Sequence, residues 1–401
     1  MWGKNRVMKV NTGKGSMPLV ALIAILSISA IVSLPGLAIS PILDDLESIF
    51  PHASELEVEM LESLPSLMII PFMLLSGRWS VKYNKIRLLV LGTAIFLLSG
   101  IGSLLSRSLM ELIILGAVMG IGAGIIIPLS TGLIVDCFVG EYRVKQLGIS
   151  SAVNNLTLVL ATALTGYLAG IKWYYAFAVY LLPAITLILV PALGSVSPNI
   201  VAQNQDESDA PASISSKRIL ALMFFYFMIT YCSLVVTFNT SYIAAAQRMS
   251  SDVAGWIISL FFLAIMLPGF VLNGVKRVLG KATNFWSLVV MGVGLVVMSL
   301  PHPRLYTLIL GALLSGLGYG VMQPLIYDRA ASCSPPKLAT LALSLVMAVN
   351  YLAILVAPFI MDVVDRLFHT SQHTFAFLFN GVVTLIMALL SIRERDGIYA
   401  Q

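Results

Sequence analysis

Twelve stretches of this chain contain no charged residue, and most are long enough to cross a bilayer as a helix. They cover residues 15–43, 63–77, 88–106, 112–135, 146–171, 173–205, 219–247, 253–275, 282–303, 305–327, 338–361 and 367–392. Crossing the hydrocarbon takes roughly 20 apolar residues in a helix. The second stretch is short and has to extend back through Glu62 and Glu59 to span, which puts those acids at a membrane boundary. The sixth contains its own stop at Pro191 and Pro198. With 58% hydrophobic and 11% charged residues, water is not the main solvent of this fold, since a soluble domain carries about a quarter charged residues. Backbone groups in hydrocarbon need partners within their own segment, and alternating strand patterns are absent, so the spans read as helices throughout.

The charges between the stretches give an orientation. With a cytoplasmic N-terminus, 19 of the 24 Lys and Arg fall in inner loops and tails, and only Arg107, Lys172, Arg248, Arg304 and Arg366 fall outside. Moving the count by one span inverts this bias, so the positive-inside rule places both termini in the cytoplasm. The net charge of +5 is thereby topological and implies no nucleic-acid partner. The basic N-terminal tail resembles the start of a signal peptide, but the run that follows is too long and lacks a clear cleavage site, so it reads as a retained first span. Cys137, Cys232 and Cys333 form no CxxC pair, which argues against a disulfide frame or a zinc site. His369 and His373 have metal-compatible spacing without a third ligand, so no metal and no cofactor are expected.

The chain repeats itself. Gly120-Ile-Gly-Ala-Gly-Ile-Ile-Ile-Pro128-Leu129 recurs as Gly316-Leu-Gly-Tyr-Gly-Val-Met-Gln-Pro324-Leu325, and the same shift of 196 residues maps Asn154 onto Asn350 and Lys85 onto Lys281. Six spans separate the copies, so both have the same orientation and are parallel repeats. The expected fold is an all-α membrane protein of twelve transmembrane helices in two parallel, pseudo-symmetric six-helix bundles. The halves are residues 1–198 and 217–401, joined by a polar cytoplasmic linker at 199–216 that cannot bury enough apolar area to fold. No loop is large enough for a soluble enzyme or ATPase, and no Walker-type phosphate loop is present. The chain is not expected to be an enzyme, and active transport would draw on a gradient.

This organisation resembles the major facilitator superfamily over essentially the whole chain, and within it the twelve-span drug:proton antiporters. Their loop signature of Gly, Asp-Arg, Gly and basic residues is matched by Gly77-Arg78-Trp-Ser-Val81-Lys82-Tyr-Asn84-Lys85-Ile-Arg87, with Val81 in place of the Asp and Asn84 in place of the second Gly. In the family that Asp anchors a charge network closing the cytoplasmic side. Asp136 through Gly148 matches the family's acid, short polar loop, Arg and Gly, with Arg143 as the Arg. The resemblance therefore implies a cytoplasmic gate of Gly77, Arg78, Lys82, Lys85, Asp136 and Arg143, with Asp136 partnering Arg78, Lys82 or Arg143. The alternative is an exposed helix-end carboxylate. The family's Arg within span four falls at Gly116, and the antiporter Gly-Pro pair is absent around Ala161 to Gly166.

Gly116, Gly120 and Gly124, with Gly316 and Gly320, stand four apart and favour close helix packing. The resemblance adds that spans one, four, seven and ten line a cavity that these glycines would help to shape. Pro128 and Pro324 remove helix hydrogen bonds and permit bending. No ionisable residue occupies mid-span, so the candidate substrate contacts are neutral: Asn154, Asn350, Gln323, Tyr226, Thr230, Tyr231, Asn239 and Tyr319. Ordinary interhelical hydrogen bonds are the competing explanation for each. Proton coupling falls to peripheral acids, Asp44, Glu62 or Asp136, with a solvated acidic loop as the alternative for the first two.

The expected function is alternating-access secondary transport in a bacterial inner membrane, with proton-coupled export of a lipophilic or amphiphilic small molecule. A neutral, weakly amphiphilic or zwitterionic solute suits such a cavity better than a strong cation. Uptake of a small organic acid or nutrient, and a transport-inactive receptor or interaction protein, are the alternatives. Expected partners are the small-molecule substrate, protons and the lipid bilayer, and the chain is expected to act as a monomer.

Overall fold

A computed structural model describes residues 8–39, 42, 46, 49–51, 55–195, 216–249, 251–301, 303–369 and 373–393. The principal helices are α1 (Leu19–Ile31), α2 (Glu55–Lys82), α3 (Lys85–Leu105), α4 (Leu109–Cys137), α5 (Gly140–Ile171), the short α6 (Pro183–Leu189), α7 (Ser216–Ala246), α8 (Ser251–Leu279), α9 (Thr283–Met298), α10 (Leu305–Ser332), α11 (Ala339–Leu367) and α12 (His373–Arg393). Tighter 3-10 turns at Trp173–Leu181 and Val190–Ser195 extend α6 at both ends, and Pro191 lies within the second of them. Pro198, the other stop expected from sequence, lies outside the described residues.

Among the described residues, ten helical stretches are long and apolar enough to cross a membrane. One, Val253–Met298, runs through both α8 and α9, which meet at the 3-10 turn Gly280–Ala282. Gly280 holds φ +51° there, a conformation that costs glycine little. At 13 residues, α1 is too short to count; it gives way to a helical turn at Leu34–Leu37 carrying Pro35. At the turn between α2 and α3, Asn84 caps α3: its side-chain oxygen accepts from the backbone N–H of Ile86 and Arg87 at 2.9 and 3.3 Å, satisfying two orphan donors.

Large apolar side chains face outward around the bundle, among them Leu98, Leu105, Leu160, Ile188, Phe224, Phe359 and Val278. Lipid is the medium in which such exposure carries no penalty. By contrast, α4 is buried continuously from Gly122 to Val135.

Two layers of packing repeat at the sequence shift. A β-carbon at Gly120 would collide with the backbone of Pro65 in α2, and one at Gly124 with that of Ile69. Gly316 and Gly320 press in the same way on Phe261 and Ile265 of α8. All four positions and their partners are related by 196 residues. These glycines serve close packing of α4 on α2 and of α10 on α8, while Gly116 leaves ordinary room beside Pro65. Between the two sets, α2 packs on α11 and α5 on α8, and the shift exchanges these two pairs.

One element departs from the all-helical expectation. β1 (Lys9–Asn11) and β2 (Ser16–Pro18) form an antiparallel hairpin that pairs Asn11 with Ser16, closed by a bond from Thr12 N–H to the Gly15 carbonyl at 2.9 Å. It precedes α1 and so escapes the hydrocarbon rule that makes spans helical. Gly13 at φ +87° allows the turn.

Candidate functional site

A cavity of about 140 Å³ lies where α1, α2, α4 and α5 face α10 and α11. Its first wall is built of hydroxyls. Ser150 Oγ on α5 donates to Ser29 Oγ on α1 at 2.7 Å, and Ser29 Oγ is 3.0 Å from Ser130 Oγ on α4. One helical turn further along α5, Asn154 Nδ2 donates to Ser33 Oγ at 2.8 Å. The Asn154 Oδ1 oxygen is buried with no hydrogen-bond partner.

The opposite wall comes from α10 and α11. Ser151 Oγ on α5 donates across the cavity to Gln323 Oε1 at 2.8 Å. Gln323 Nε2 reaches the hydroxyls of Tyr226 and Tyr327 at 3.3 and 3.4 Å, and these two hydroxyls stand 2.8 Å apart. Gln323 is thus held from both sides, with its amide plane set by three neighbours. Asn350, Tyr351, Met347 and Ile354 complete the wall from α11. Every residue lining the cavity is uncharged.

The sequence candidates sort by this geometry. Asn154, Gln323 and Asn350 line the cavity. Tyr226, Thr230 and Tyr319 stand behind it: Thr230 Oγ1 lies 3.3 Å from Tyr319 OH, and Asn350 Nδ2 reaches Thr230 at 3.5 Å. Tyr231 and Asn239 serve other contacts. Asn239 Nδ2 donates to Met361 Sδ at 3.4 Å, and Tyr231 is buried away from the residues that line the cavity. Tyr231 lies on a different face of α7 from Thr230 because each helical residue is turned by about 100° from the one before it.

Below the cavity, at the end of the bundle that holds Lys85, Arg143 and Lys276, the two sets of helices close on each other. Arg143 Nε on α5 meets Asp328 Oδ1 on α10 at 2.5 Å, and its Nη2 donates to Ser332 Oγ at 2.7 Å. Asn273 Nδ2 on α8 donates to the Glu141 carbonyl at 2.9 Å. The Gly148 and Gly269 backbones touch, so that a β-carbon at 148 would lie 2.6 Å from the Gly269 carbonyl oxygen. Gly77 abuts Ser344 of α11, leaving 2.7 Å between a β-carbon there and Ser344 Cβ.

The partner expected for Asp136 is corrected. Lys85 Nζ, not Arg78, Lys82 or Arg143, donates to Asp136 Oδ2 at 2.6 Å, with both side chains 14% exposed. The packing of α3 on α4 puts the first residue of α3 beside the end of α4, whereas Arg78 and Lys82 are exposed. Arg143 is taken by Asp328. Of the other two acids considered for protons, Asp44 lies outside the described residues. Glu62 falls within α2, and its side chain also lies outside them.

Asp328, Tyr327 and the serines at 29, 33, 130, 150 and 151 are site residues that sequence reasoning passed over. Asp328 ends the uncharged stretch 305–327 and adjoins Arg329, which made it look like an ordinary boundary charge. Its only available signal was that it is an acid at the basic end. The serines carried no signal, because hydroxyls are common in apolar helices.

An uncharged cavity between two repeat-related helix sets, which meet at one end, is the arrangement expected of a membrane transporter. The sequence profile of the Major Facilitator Superfamily matches residues 19–242 and 219–397, and the chain belongs to that family. It is 23% identical over 376 residues to the uncharacterized MFS-type transporter YceJ of Bacillus subtilis, covering 91% of this chain and 92% of that protein. Multidrug resistance protein 3 of the same organism is 31% identical over 102 residues, which are 25% of this chain and 20% of that protein. For the multidrug transporter protein MdtP of B. subtilis the identity is 27% over 132 residues, 33% of this chain and 24% of that protein. The matched regions thus span about a fifth to a quarter of these two relatives. In fold, the chain is similar to the proton:xylose symporter XylE bound to 6-bromo-6-deoxy-D-glucose, with TM-score 0.70 and 15% identity over 94% of each chain. The human organic anion transporter MFSD10 superposes with TM-score 0.68 and 16% identity, covering 93% of this chain and 98% of that one.

Proposed function

We propose that this chain is a secondary active transporter that works by alternating access, exporting an uncharged lipophilic or amphiphilic small molecule in exchange for protons. The observation that carries the reading is the position of the uncharged cavity: it lies between the two helix sets and above contacts between them, Arg143–Asp328 and Gly148–Gly269 among these. Breaking these contacts while the opposite end closes would present the cavity to the other side of the membrane.

In this reading the halves are residues 1–198 and 217–401, joined by the linker 199–216, with twelve spans and α1 as the first. The basic end faces the cytoplasm of a bacterial inner membrane, supported by the 19 to 5 division of Lys and Arg. Export is supported by the names of the partial multidrug relatives. Asp136, buried against Lys85, is the acid of choice for the proton, because an intimate ion pair can exchange its lysine for a proton as the neighbouring helices move.

The test is uptake of lipophilic dyes and uncharged amphiphiles into inside-out vesicles, with and without an acidic interior, comparing the wild type with Gln323→Ala. Gradient-driven accumulation that the variant loses supports the reading. Accumulation indifferent to the gradient refutes proton coupling, and no accumulation of any compound refutes export.

A further inference from the structure

We propose that the cavity selects an amphiphile whose uncharged head group donates hydrogen bonds, a hydroxyl or a primary amide, and rejects fixed cations. This rests on the transport reading above and names its substrate class. Asn154 carries the argument. Its side chain lines the cavity; its Nδ2 is committed to Ser33, while its Oδ1 is buried without a partner. A buried acceptor left unmatched is costly, so the group that enters has to bring a donor. The adjoining hydroxyls of Ser29, Ser130 and Ser150 already satisfy one another and can accept a second donor through their remaining lone pairs. Val32, Ile127 and Ile354 supply the apolar surface for a tail. A cation would lose its hydration here and meet no carboxylate, because none lines the cavity.

The experiment holds the tail constant and varies the head. Binding of four octyl compounds is measured on the protein in lipid nanodiscs: the glycerol ether, its di-O-methyl derivative, octyltrimethylammonium and octanoate. The wild type is expected to bind the glycerol ether at least tenfold more tightly than any of the others. Asn154→Leu should remove the preference over the methylated compound, and Asn154→Asp should bring trimethylammonium up at least tenfold. Equal or tighter binding of trimethylammonium by the wild type would overturn the inference, as would an unchanged head preference in Asn154→Leu. Flux is read separately: head-selective binding without gradient-driven transport sinks the transport reading alone, and transport blind to the head sinks this inference alone.

A different observation carries a second inference. We propose that the N-terminal hairpin is a strap that holds the basic end closed. The Val139 N–H donates to the Thr12 carbonyl at 3.1 Å, and Asn11 Nδ2 donates to Tyr142 OH at 3.3 Å. Gly13 fits against Val139 so closely that a β-carbon would lie 2.8 Å from its Cγ2. The docked segment, Val139 to Arg143, also holds the Glu141 carbonyl that accepts from Asn273 and the guanidinium that grips Asp328. Five consecutive residues thus take the hairpin on one side and the opposite helix set on the other. β2 runs directly into α1, which places Ser29 at the cavity.

Labelling tests the strap. Ser150→Cys, in a chain whose three cysteines are replaced by alanine, is exposed to a membrane-impermeant maleimide from the basic side in inside-out vesicles. Gly13→Val and the milder Tyr142→Phe should each speed labelling several-fold, the first more than the second. Rates equal to that of the unaltered hairpin in both variants would overturn the proposal.

Discussion

Arg143 and Asp328 meet at 2.5 Å although 185 residues separate them, and each side chain is less than a fifth exposed. The pair joins α5 to α10 across the seam below the cavity. Deleting one member leaves a poorly hydrated charge behind, at a cost of about 2 kcal/mol, below the 3–5 typical of a fully buried pair. Applied to a two-state equilibrium, that is roughly a 30-fold shift away from the state closed at this end. Arg143→Gln and Asp328→Asn are each expected to reduce transport at least tenfold, and the exchange Arg143→Asp with Asp328→Arg to restore part of it. Flux in reconstituted vesicles decides the matter: single variants with full activity would show that the pair is incidental. The more exposed Arg277–Glu141 contact, at 4.0 Å with both side chains at least three-quarters exposed, is expected to matter little, since open surface pairs contribute little.

Asp136 and Lys85 make a pair of another kind, within one helix set. If Asp136 carries the coupling proton, Asp136→Asn should abolish gradient-driven accumulation while leaving downhill exchange of substrate within about threefold of wild type, because the amide has the shape and neutrality of the protonated acid, a state in which Lys85 is already released, and cannot titrate. Lys85→Gln should weaken both, since it strands the carboxylate. Counterflow and gradient-driven uptake, measured on the same vesicles, separate the two activities. Retained accumulation in Asp136→Asn would move the proton site elsewhere.

Much of this architecture is legible in the amino-acid sequence. The charges between the uncharged stretches mark the helix ends because charged side chains are expensive in hydrocarbon. The shift that aligns Gly120 with Gly316 also aligns the residues they press upon, so the repeat is physical and not merely textual. The cavity was legible only through its amides, Asn154, Gln323 and Asn350, which are rare enough in apolar helices to stand out. Its serines were not, nor was the choice of Lys85 over Arg78 for Asp136, because neither depends on residue type; both depend on which way a helix is turned, and nearly uniform apolarity hides that. The hairpin was missed because strands of three residues leave no periodicity to find.

The repeat makes a prediction about stability. Gly120 and Gly316 hold equivalent positions, each against the backbone of a neighbour at a distance no side chain can share. Gly120→Val and Gly316→Val should destabilise the protein by similar amounts, about 1–3 kcal/mol each, the usual range for overpacking. Gly274→Ala, on the exposed face of α8 with nothing within 4 Å, should be neutral or slightly stabilising, as alanine is the better helix former. Thermal unfolding of the purified protein checks this ordering, and a Gly274 variant as damaging as the other two would refute it.

Gly148 and Gly269 present the same close approach in another place, and the location changes the expected consequence. They touch between α5 and α8, across the seam rather than within one helix set. A methyl group at 148 cannot fit beside the Gly269 carbonyl, and in the alternating-access reading the two sets part here, so the strain would be relieved by opening the basic end and not by unfolding. Gly148→Ala should therefore leave thermal stability within about 1 kcal/mol of wild type, the small end of overpacking costs, while transport falls at least tenfold. Spin labels at the exposed positions Lys82 and Lys337, one in each set, would report the change as a longer distance population in the variant. Identical distance distributions accompanied by a lowered melting temperature would mean that the seam does not open and that this contact is structural packing like that at Gly120.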